Sequence, residues 1–289
     1  MSNMMQSSEL PVRVYSPEPL LGHPIDLIKS IVGNFWAGRE LAWRLFVRDL
    51  SAQHRQSYLG YIWVFLPPLV ASISFIFLNS QGFLNIPDMG ISYPAFAMMG
   101  TLLWQIFTDS MASPQSSLNS AKSMLAKINF PREALLLAGI YTLIFNFLIR
   151  LILMFGIFVF WKIPVDQSIL FFPIAVFSLF ITGFSIGLIL APIGTLYADI
   201  GSALSIVTRF WMLLTPVVYP SAKHGLVGFL TTWNPISPLI TTARECLTAQ
   251  PLTHLPAFWI VTACATLVAF LGLVLYRLAM PHLIVRMGG

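Results

Sequence analysis

Long apolar runs constrain this chain more than any other feature of its sequence. They lie at about 61–78, 94–107, 134–160, 169–196, 203–219 and 257–276, and several approach or exceed the roughly 20 residues that a helix needs to cross a bilayer. Hydrophobic residues make up 57% of the chain and charged residues 9%, whereas a soluble domain carries roughly 25% charged residues. The sequence therefore predicts an all-α integral membrane protein with six transmembrane helices.

Lys and Arg residues predict the orientation of these spans, because they gather on the cytoplasmic side of membrane helices. Most of them lie before the first span, in the segment 109–133 or after the last span, whereas Lys162, Lys223 and Arg244 lie on the other side. Both termini and the segment 109–133 are therefore expected in the cytoplasm. The net charge of +5 follows this distribution and does not indicate nucleic-acid binding. Residues 1–35 lack the features of a cleaved signal peptide.

Residues 36–55 precede the first span and predict an amphipathic helix at the cytoplasmic membrane surface. At about 100° per residue, one face is apolar and a narrow stripe of arginines lies at about a right angle to it. The apolar face holds Trp36, Trp43, Phe46, Val47 and Leu50, and the stripe holds Arg44, Arg48 and Arg55. These arginines either meet lipid phosphates or bind the anionic head group of a substrate.

Two further segments differ from simple spans. Segment 109–133 contains Ser113-Pro114 and Pro131-Arg132, and it predicts a cytoplasmic loop with a short helix that is either a tight connector or a docking surface for a partner. Segment 220–256 contains apolar pieces too short to cross a membrane, separated by Trp233-Asn234-Pro235. Such backbone at membrane depth must be buried in protein or line a cavity, so we predict short re-entrant helices on the outer side.

The sequence carries no constellation typical of catalysis or of a bound cofactor. It has no GxxxxGK[ST] phosphate-binding loop, its two cysteines do not form a CxxC motif, and its acidic residues and histidines are dispersed. A nucleotide, if one drives the protein, must therefore bind to another chain. An ion pair between spans is expected for Asp199 with Arg209, and a stabilising pair for Arg244 with Glu245. Arg150, within the third run, either joins such a pair or extends to the membrane surface.

Gly183 and Gly187 in the fourth run match the small-xxx-small pattern of closely packed membrane helices. The pattern predicts that another helix approaches the fourth span closely at these two positions.

Several strings, in their order and spacing, resemble the permease subunits of ABC-type polysaccharide exporters. They are Arg48-Asp49-Leu50, Arg55-Gln56-Ser57-Tyr58-Leu59-Gly60-Tyr61-Ile62-Trp63, Asn129-Phe130-Pro131-Arg132-Glu133, Thr215-Pro216-Val217-Val218-Tyr219-Pro220 and Trp233-Asn234-Pro235-Ile236-Ser237-Pro238. The resemblance covers about residues 36–280, and the third string is most similar to the O-antigen type. The resemblance implies a homodimer in the inner membrane, bound to two copies of an ATPase subunit that holds ATP and Mg.

The resemblance also implies export of a lipid-linked polysaccharide, such as O-antigen, capsular polysaccharide or teichoic acid. It divides the chain into an N-terminal cytoplasmic extension (1–35), a permease domain (36–280) and a cytoplasmic tail (281–289). Export of a drug or small lipid by a permease of similar plan is the first alternative. A membrane-embedded transferase is a distant one, since it would need paired carboxylates or a similar catalytic set.

Three sets of site residues follow from the arginine stripe, the cytoplasmic segment 109–133 and the resemblance. We expect the substrate head group at Arg44, Arg48 and Arg55, beside the Leu59-Gly60 turn. The aromatic residues that either line the channel or form an interfacial belt are Tyr58, Tyr61, Trp63 and Tyr219. Coupling to the ATPase is expected at Ser116, Ser117, Lys122 and Lys127.

Overall fold

The computed structural model describes residues 24–55, 90–125, 130–220 and 225–288, together with short pieces between 66 and 81, and the described residues form helices and no strands. The first helices are α1 (Pro24–Ala37), α2 (Arg39–Arg55), α3 (Tyr93–Ser120), α4 (Lys122–Leu125) and α5 (Glu133–Trp161). A 3-10 helix, Gln167–Phe171, leads into α6 (Phe172–Leu196), which is followed by α7 (Ala198–Leu214), α8 (Gly225–Trp233), α9 (Ile236–Leu247) and α10 (Leu255–Gly288).

Three described helical segments are long and apolar enough to cross a membrane: Glu133–Trp161, Gln167–Leu196 and Leu255–Leu283. They coincide with the predicted third, fourth and sixth spans, and the all-helical membrane class is confirmed. Most of the predicted first span lies outside the described residues. The total of six spans stays a prediction.

Helix α3 lies at the centre of the described bundle and packs closely against α6 and α5. A Cβ atom added at Gly183 would lie 2.3 Å from the carbonyl oxygen of Phe107, and one at Gly187 would lie 2.3 Å from that of Met111. Only glycine permits backbones to approach this closely. The predicted close contact of the fourth span is therefore confirmed, and α3 is the helix that makes it.

Buried apolar side chains form one cluster at each end of the bundle. The first joins the beginnings of α3 and α6 to α9 and the end of α5, and we call this the α9 end. The second joins α2 to the end of α3, the beginning of α5 and the ends of α6 and α10, and we call this the α2 end. Helices α3, α5, α6 and α10 run between the two ends.

Helix α3 continues to Ser120, well past the predicted end of the second span near 107. Pro114, expected in a loop, lies within the helix and is buried. A proline inside a helix removes one hydrogen bond, but the ring of Pro114 packs against Gly187, where an added Cβ would lie 2.9 Å from its Cδ. The connection from α3 to α5 is therefore much shorter than the predicted loop 109–133.

Other boundaries also differ from prediction. Helix α7 begins at Ala198 and ends at Leu214, just before Pro216, so it lies earlier than the predicted 203–219. Helix α10 continues past the predicted limit of 276 and through Pro281, so the predicted tail is helical as far as Gly288. Segment 220–256 contains two short helices, as predicted, and their re-entrant placement stays a prediction.

The N-terminal extension contains α1, which the sequence did not predict. Its Asn34 side chain donates to Glu133 at the start of α5, at 3.2 Å, and Arg277 of α10 donates to Ser30 at 2.7 Å. Helix α1 is therefore docked on the two helices that meet at the α2 end.

Candidate functional site

One face of α3 carries polar and small side chains along the middle of the bundle. Its members recur at intervals of three or four residues, which places them on one side of a helix. They are Gln105, Thr108, Asp109, Ala112, Ser116 and Asn119. Helix α5 lies on one side of this face and α7 on the other, and each side forms a cleft.

The α3–α5 cleft has a volume of about 640 Å³, and the α3–α7 cleft about 440 Å³. Both are bordered by Asp109, Ala112 and Ser116. The described polar lining of the α3–α5 cleft is Asp49, Gln105, Asp109, Ser113, Ser116, Ser117, Ser120, Thr142, Asn146 and Arg150. A polar surface of this extent within an apolar helical bundle is costly unless water, a ligand or other protein groups contact it.

Arg150 and Asp109 form an ion pair across the α3–α5 cleft, with 2.6 Å between Nη2 and Oδ2. The Arg150 side chain is 7% exposed and that of Asp109 33% exposed. Arg150 thus takes the first of the two predicted options, an ion pair between helices. Ionisable groups inside a membrane are expensive and commonly mark substrate pathways, so this pair identifies the cleft as a candidate site.

The other expected ion pair of the spans does not form in the described structure. Asp199 and Arg209 are both exposed, and the ion pairs found among the described residues do not include them. Asp199 lies in the first turn of α7, where a negative charge is favourable near the helix N-terminus.

Within the same described residues, no three His, Cys, Asp or Glu side chains are grouped closely enough to hold a metal ion.

Two arginines of α2, Arg44 and Arg48, are exposed and already paired. Arg44 contacts Glu40 at 2.6 Å, one helical turn away, and Arg48 contacts Asp49 at 2.7 Å. Asp49 also accepts a hydrogen bond from Ser120 at the end of α3, at 3.2 Å. Exposed pairs of this kind contribute little stability, so both guanidinium groups remain accessible to another anion.

The rest of the predicted head-group site lies mostly outside the described residues. Arg55 ends α2, but its side chain, Leu59 and Gly60 are outside them. Of the predicted apolar face of α2, Phe46 is buried and packs against Tyr141 and Phe145 of α5, whereas Trp43 is exposed. The role of the arginine stripe stays a prediction.

The predicted coupling residues divide between two places. Ser116 and Ser117 lie on α3 and line the α3–α5 cleft, whereas Lys122 is exposed on α4. Lys127 is outside the described residues. Ser116 and Ser117 are therefore not on a loop, and their role in coupling stays a prediction.

The predicted channel aromatics are described only at Tyr219, whose hydroxyl donates to the carbonyl of Leu213 at 2.9 Å. Tyr58, Tyr61 and Trp63 lie outside the described residues. Tyr219 sits near the α9 end, in the turn that follows α7.

At the α9 end, Asn234 ties the end of α7 to the short outer helices. Its Nδ2 donates to Thr215 Oγ1 at 2.7 Å, and its Oδ1 accepts from Trp211 Nε1 and from the backbone N–H of Ile236, each at 3.1 Å. Two strings that carry the family resemblance, around Thr215-Pro216 and Trp233-Asn234-Pro235, are therefore hydrogen-bonded to each other.

Arg244 of α9 strengthens the same connection. Its Nη2 donates to the carbonyl oxygens of Pro216 at 2.8 Å and Val217 at 2.7 Å, and its guanidinium lies 3.7 Å from the ring centroid of Phe96. Burial lowers the pKa of Arg244 to about 9, and the Glu245 carboxylate opposes that shift. We call Asn234, Arg244 and their partners in 211–217 the α7–α9 lock.

Among the described residues Arg244 and Glu245 form no direct ion pair, because each side chain has its own partners, but the Glu245 charge still favours the charged form of Arg244. The Glu245 carboxylate accepts hydrogen bonds from the backbone N–H and the hydroxyl of Thr253. Adjacent residues of a helix point in different directions, which is why these two do not meet.

Sequence reasoning missed the α3–α5 cleft and the α7–α9 lock. A signal for the cleft was available, since the spacing of polar and small residues from Gln105 continues through Ser116 to Asn119 without a break. No comparable signal exists for the lock. Its partners come from separate segments, and only the folded chain brings them together.

Comparison of the sequence with known proteins places this chain in a family. Residues 40–248 match the ABC-2 type transporter family. Two curated relatives are each named O-antigen export system permease protein RfbA. The one from Myxococcus xanthus is 26% identical over 241 residues, which cover 80% of this chain and 91% of that protein. The one from Klebsiella pneumoniae is 24% identical over 201 residues, which cover 68% of this chain and 76% of that protein. The family match spans most of the chain, and this protein therefore belongs to the ABC-2 type transporters.

Proposed function

We propose that this chain is the transmembrane subunit of an ATP-driven exporter that moves a lipid-linked polysaccharide, of the O-antigen type or a related type, across the inner membrane. Membership of the ABC-2 family and the names of the two relatives support the proposal. The structural observation that carries it is the polar face of α3 with its two clefts. A hydrated polymer needs such a polar path through an apolar bundle.

The proposed assembly contains two copies of this chain and two copies of a separate ATPase subunit, which holds ATP and Mg. Each copy has six spans, with both termini and the α2 end in the cytoplasm. Lys122 of α4 and Arg44 and Arg48 of α2 are exposed near this end, where they are available to a cytoplasmic partner. The predicted first span, within residues 56–89, completes the permease domain.

The proposed transport step begins when a pyrophosphate head group binds at Arg44, Arg48 and Arg55. The guanidinium groups exchange their weak exposed pairs with Glu40 and Asp49 for bidentate bonds to phosphate oxygens. ATP binding to the partner then acts through α2 and α4 on α3. The head group moves outward, and the sugar chain follows along the polar face of α3 and past aromatic residues such as Tyr219.

The first experiment is co-purification of the chain with a candidate ATPase subunit from the same organism, followed by ATPase assays with and without lipid-linked glycan. We expect a stable complex of two copies of this chain with two copies of the ATPase subunit, and we expect its ATPase activity to change when the glycan is added. Stimulation by amphiphilic drugs but not by glycan would instead indicate a drug or small-lipid permease. A chain that purifies without any ATPase would contradict the proposal.

The head-group assignment has its own test. The variants Arg48→Ala and Arg55→Ala should each reduce export several-fold while the complex still assembles, because they remove charge from the proposed site. Lys29→Ala on α1, another exposed cation at the same end, is the matched control and should export normally. Normal export by both arginine variants would rule out the assignment.

A further inference from the structure

We propose that the α3–α5 cleft binds uncharged sugar units of the exported glycan through their hydroxyl groups. The inference rests on the proposed function and adds to it a site and a ligand class. It separates sugar recognition in the bundle from head-group recognition on α2.

The size and lining of the cleft fit a hydroxylated ligand. Its volume of about 640 Å³ lies within the roughly 300–1,000 Å³ range of small-molecule sites. Ser113, Ser117, Thr142 and Asn146 present hydroxyl and amide groups from two facing helices. Sugar hydroxyls both donate and accept hydrogen bonds, as these side chains do. The hydroxyl of Thr142 donates to the Ala138 carbonyl at 3.1 Å, and its oxygen can still accept.

Two polar atoms in the wall of the cleft have no hydrogen-bond partner in the described structure. They are Nε of Arg150, whose residue is 6% exposed, and Oε1 of Gln105. One is a donor and the other an acceptor, and an unsatisfied buried polar atom is unfavourable. Both atoms have almost no solvent-accessible surface, so a ligand would reach them only when neighbouring side chains move. One that both donates and accepts would then suit them, whereas an apolar chain would not.

The charges of the cleft argue against a phosphate. Its described lining contains two carboxylates, Asp49 and Asp109, and one guanidinium, Arg150. Asp109 is paired with Arg150, and Asp49 with Arg48. An anionic head group would meet more negative than positive charge and would have to displace Asp109 from its partner. The ligand class that matches the cleft is therefore uncharged and rich in hydroxyl groups.

The test compares two lipids on the intact complex of this chain with its ATPase partner in lipid nanodiscs. The probes are a radiolabelled polyprenyl pyrophosphate that carries the glycan and the same polyprenyl pyrophosphate without sugars. Thr142→Val and Asn146→Ala each remove hydrogen-bonding groups from the cleft. The matched control is Thr266→Val on α10, an exposed threonine that also donates to the carbonyl four residues earlier, at 2.8 Å.

We expect each cleft variant to bind the glycan-bearing lipid about three- to tenfold more weakly, as the loss of one ordinary hydrogen bond implies. Binding of the bare lipid should stay unchanged, and Thr266→Val should resemble the wild type with both lipids. Equal weakening of both lipids would overturn the inference, because the cleft would then recognise the head group. Unchanged binding of both would also overturn it, since the cleft side chains would then contribute nothing to sugar binding.

Failure of the proposed function would have a different signature. The wild-type complex would then bind neither lipid, which would overturn both proposals together. A wild-type complex that binds and exports the glycan while the cleft variants behave normally would overturn only the sugar site.

Discussion

The α7–α9 lock and the α3–α5 cleft each bury an arginine, but they satisfy its charge in different ways. Arg244 donates to two backbone carbonyls and stacks on Phe96, and these partners are fixed parts of the fold. Arg150 has a side-chain partner, Asp109, which is a third exposed and borders an open volume. Within the described residues both leave Nε without a partner, and of these two arginines Arg150 is the one in the lining of a cleft. The backbone partners in the lock therefore favour a rigid structure, whereas the side-chain partner in the cleft allows Arg150 to exchange contacts.

The largest effect should come from Gly100→Ala at the lock. An added Cβ would lie 1.9 Å from the carbonyl oxygen of Val217 and 2.8 Å from Nη2 of Arg244. Because the first contact is backbone, it cannot be relieved by a side-chain rotation. We expect a loss of about 3 kcal/mol or more in the free energy of unfolding, seen as poor recovery of folded protein and a large fall in melting temperature in detergent.

Gly156→Ala on α5 is the matched control, since an added Cβ there meets nothing within 4 Å. Alanine is favoured over glycine within a helix, so this variant should be as stable as the wild type or slightly more stable. A Gly100→Ala protein that melts like Gly156→Ala would show that α3 and the turn after α7 are not in close contact.

Arg244→Met should have the second largest effect. It leaves the buried carbonyls of Pro216 and Val217 without their donor, and hydrogen bonds to charged groups contribute about 1.5–3 kcal/mol each. We expect the variant to lose about 2–4 kcal/mol of stability, measured as a shift in melting temperature of the purified complex. Arg244→Lys should recover part of it. A methionine variant of wild-type stability would mean that the lock does not hold the α9 end together.

The parts of the fold that could be predicted are those decided by local composition. Helices α5, α6 and α10 follow uninterrupted apolar runs, and these runs are visible without any knowledge of packing. Helix α3 could be predicted only in part, because its apolar character fades where Ser113, Pro114 and Ser117 begin. Local composition there is typical of a loop. The helix continues because Gly139, Gly183 and Gly187 on its neighbours have no side chains and allow it to pack closely against them. This is an effect of tertiary packing.

The candidate site could be predicted even less well than the fold. Asp109 and Arg150 were each recognisable as costly charges in the membrane, but they lie on different helices, and periodicity within one helix cannot pair them. The strings around Thr215 and Asn234 were visible as a resemblance, yet their hydrogen bond depends on how the turn after α7 meets α9. Sequence indicated which residues were unusual, and only the fold showed which of them meet.

Substitutions in the ion pair of the cleft should have an intermediate effect on stability, and the effect of each should depend on whether the other residue is also changed. Asp109→Asn leaves the buried Arg150 guanidinium without its carboxylate, whereas the double variant Asp109→Asn with Arg150→Gln removes both charges. Because Asp109 is a third exposed, solvent screens the pair, and we expect a coupling energy of about 1–2 kcal/mol from the four melting temperatures of the cycle. Strictly additive losses would show that the two groups do not interact, and the contrast with the lock would fail.

The smallest effect on stability should come from Arg44→Ala on α2. The Arg44 and Glu40 side chains are 74% and 75% exposed, and exposed pairs four residues apart in a helix contribute about 0.3–0.5 kcal/mol. The melting temperature should therefore barely change, and 0.5 M salt should remove even that difference because surface charges are screened. If Arg44→Ala were as destabilising as Arg244→Met, burial and partner type would not explain how this chain uses its arginines. Normal stability would instead leave Arg44 free for a role that binding measurements can detect and melting curves cannot.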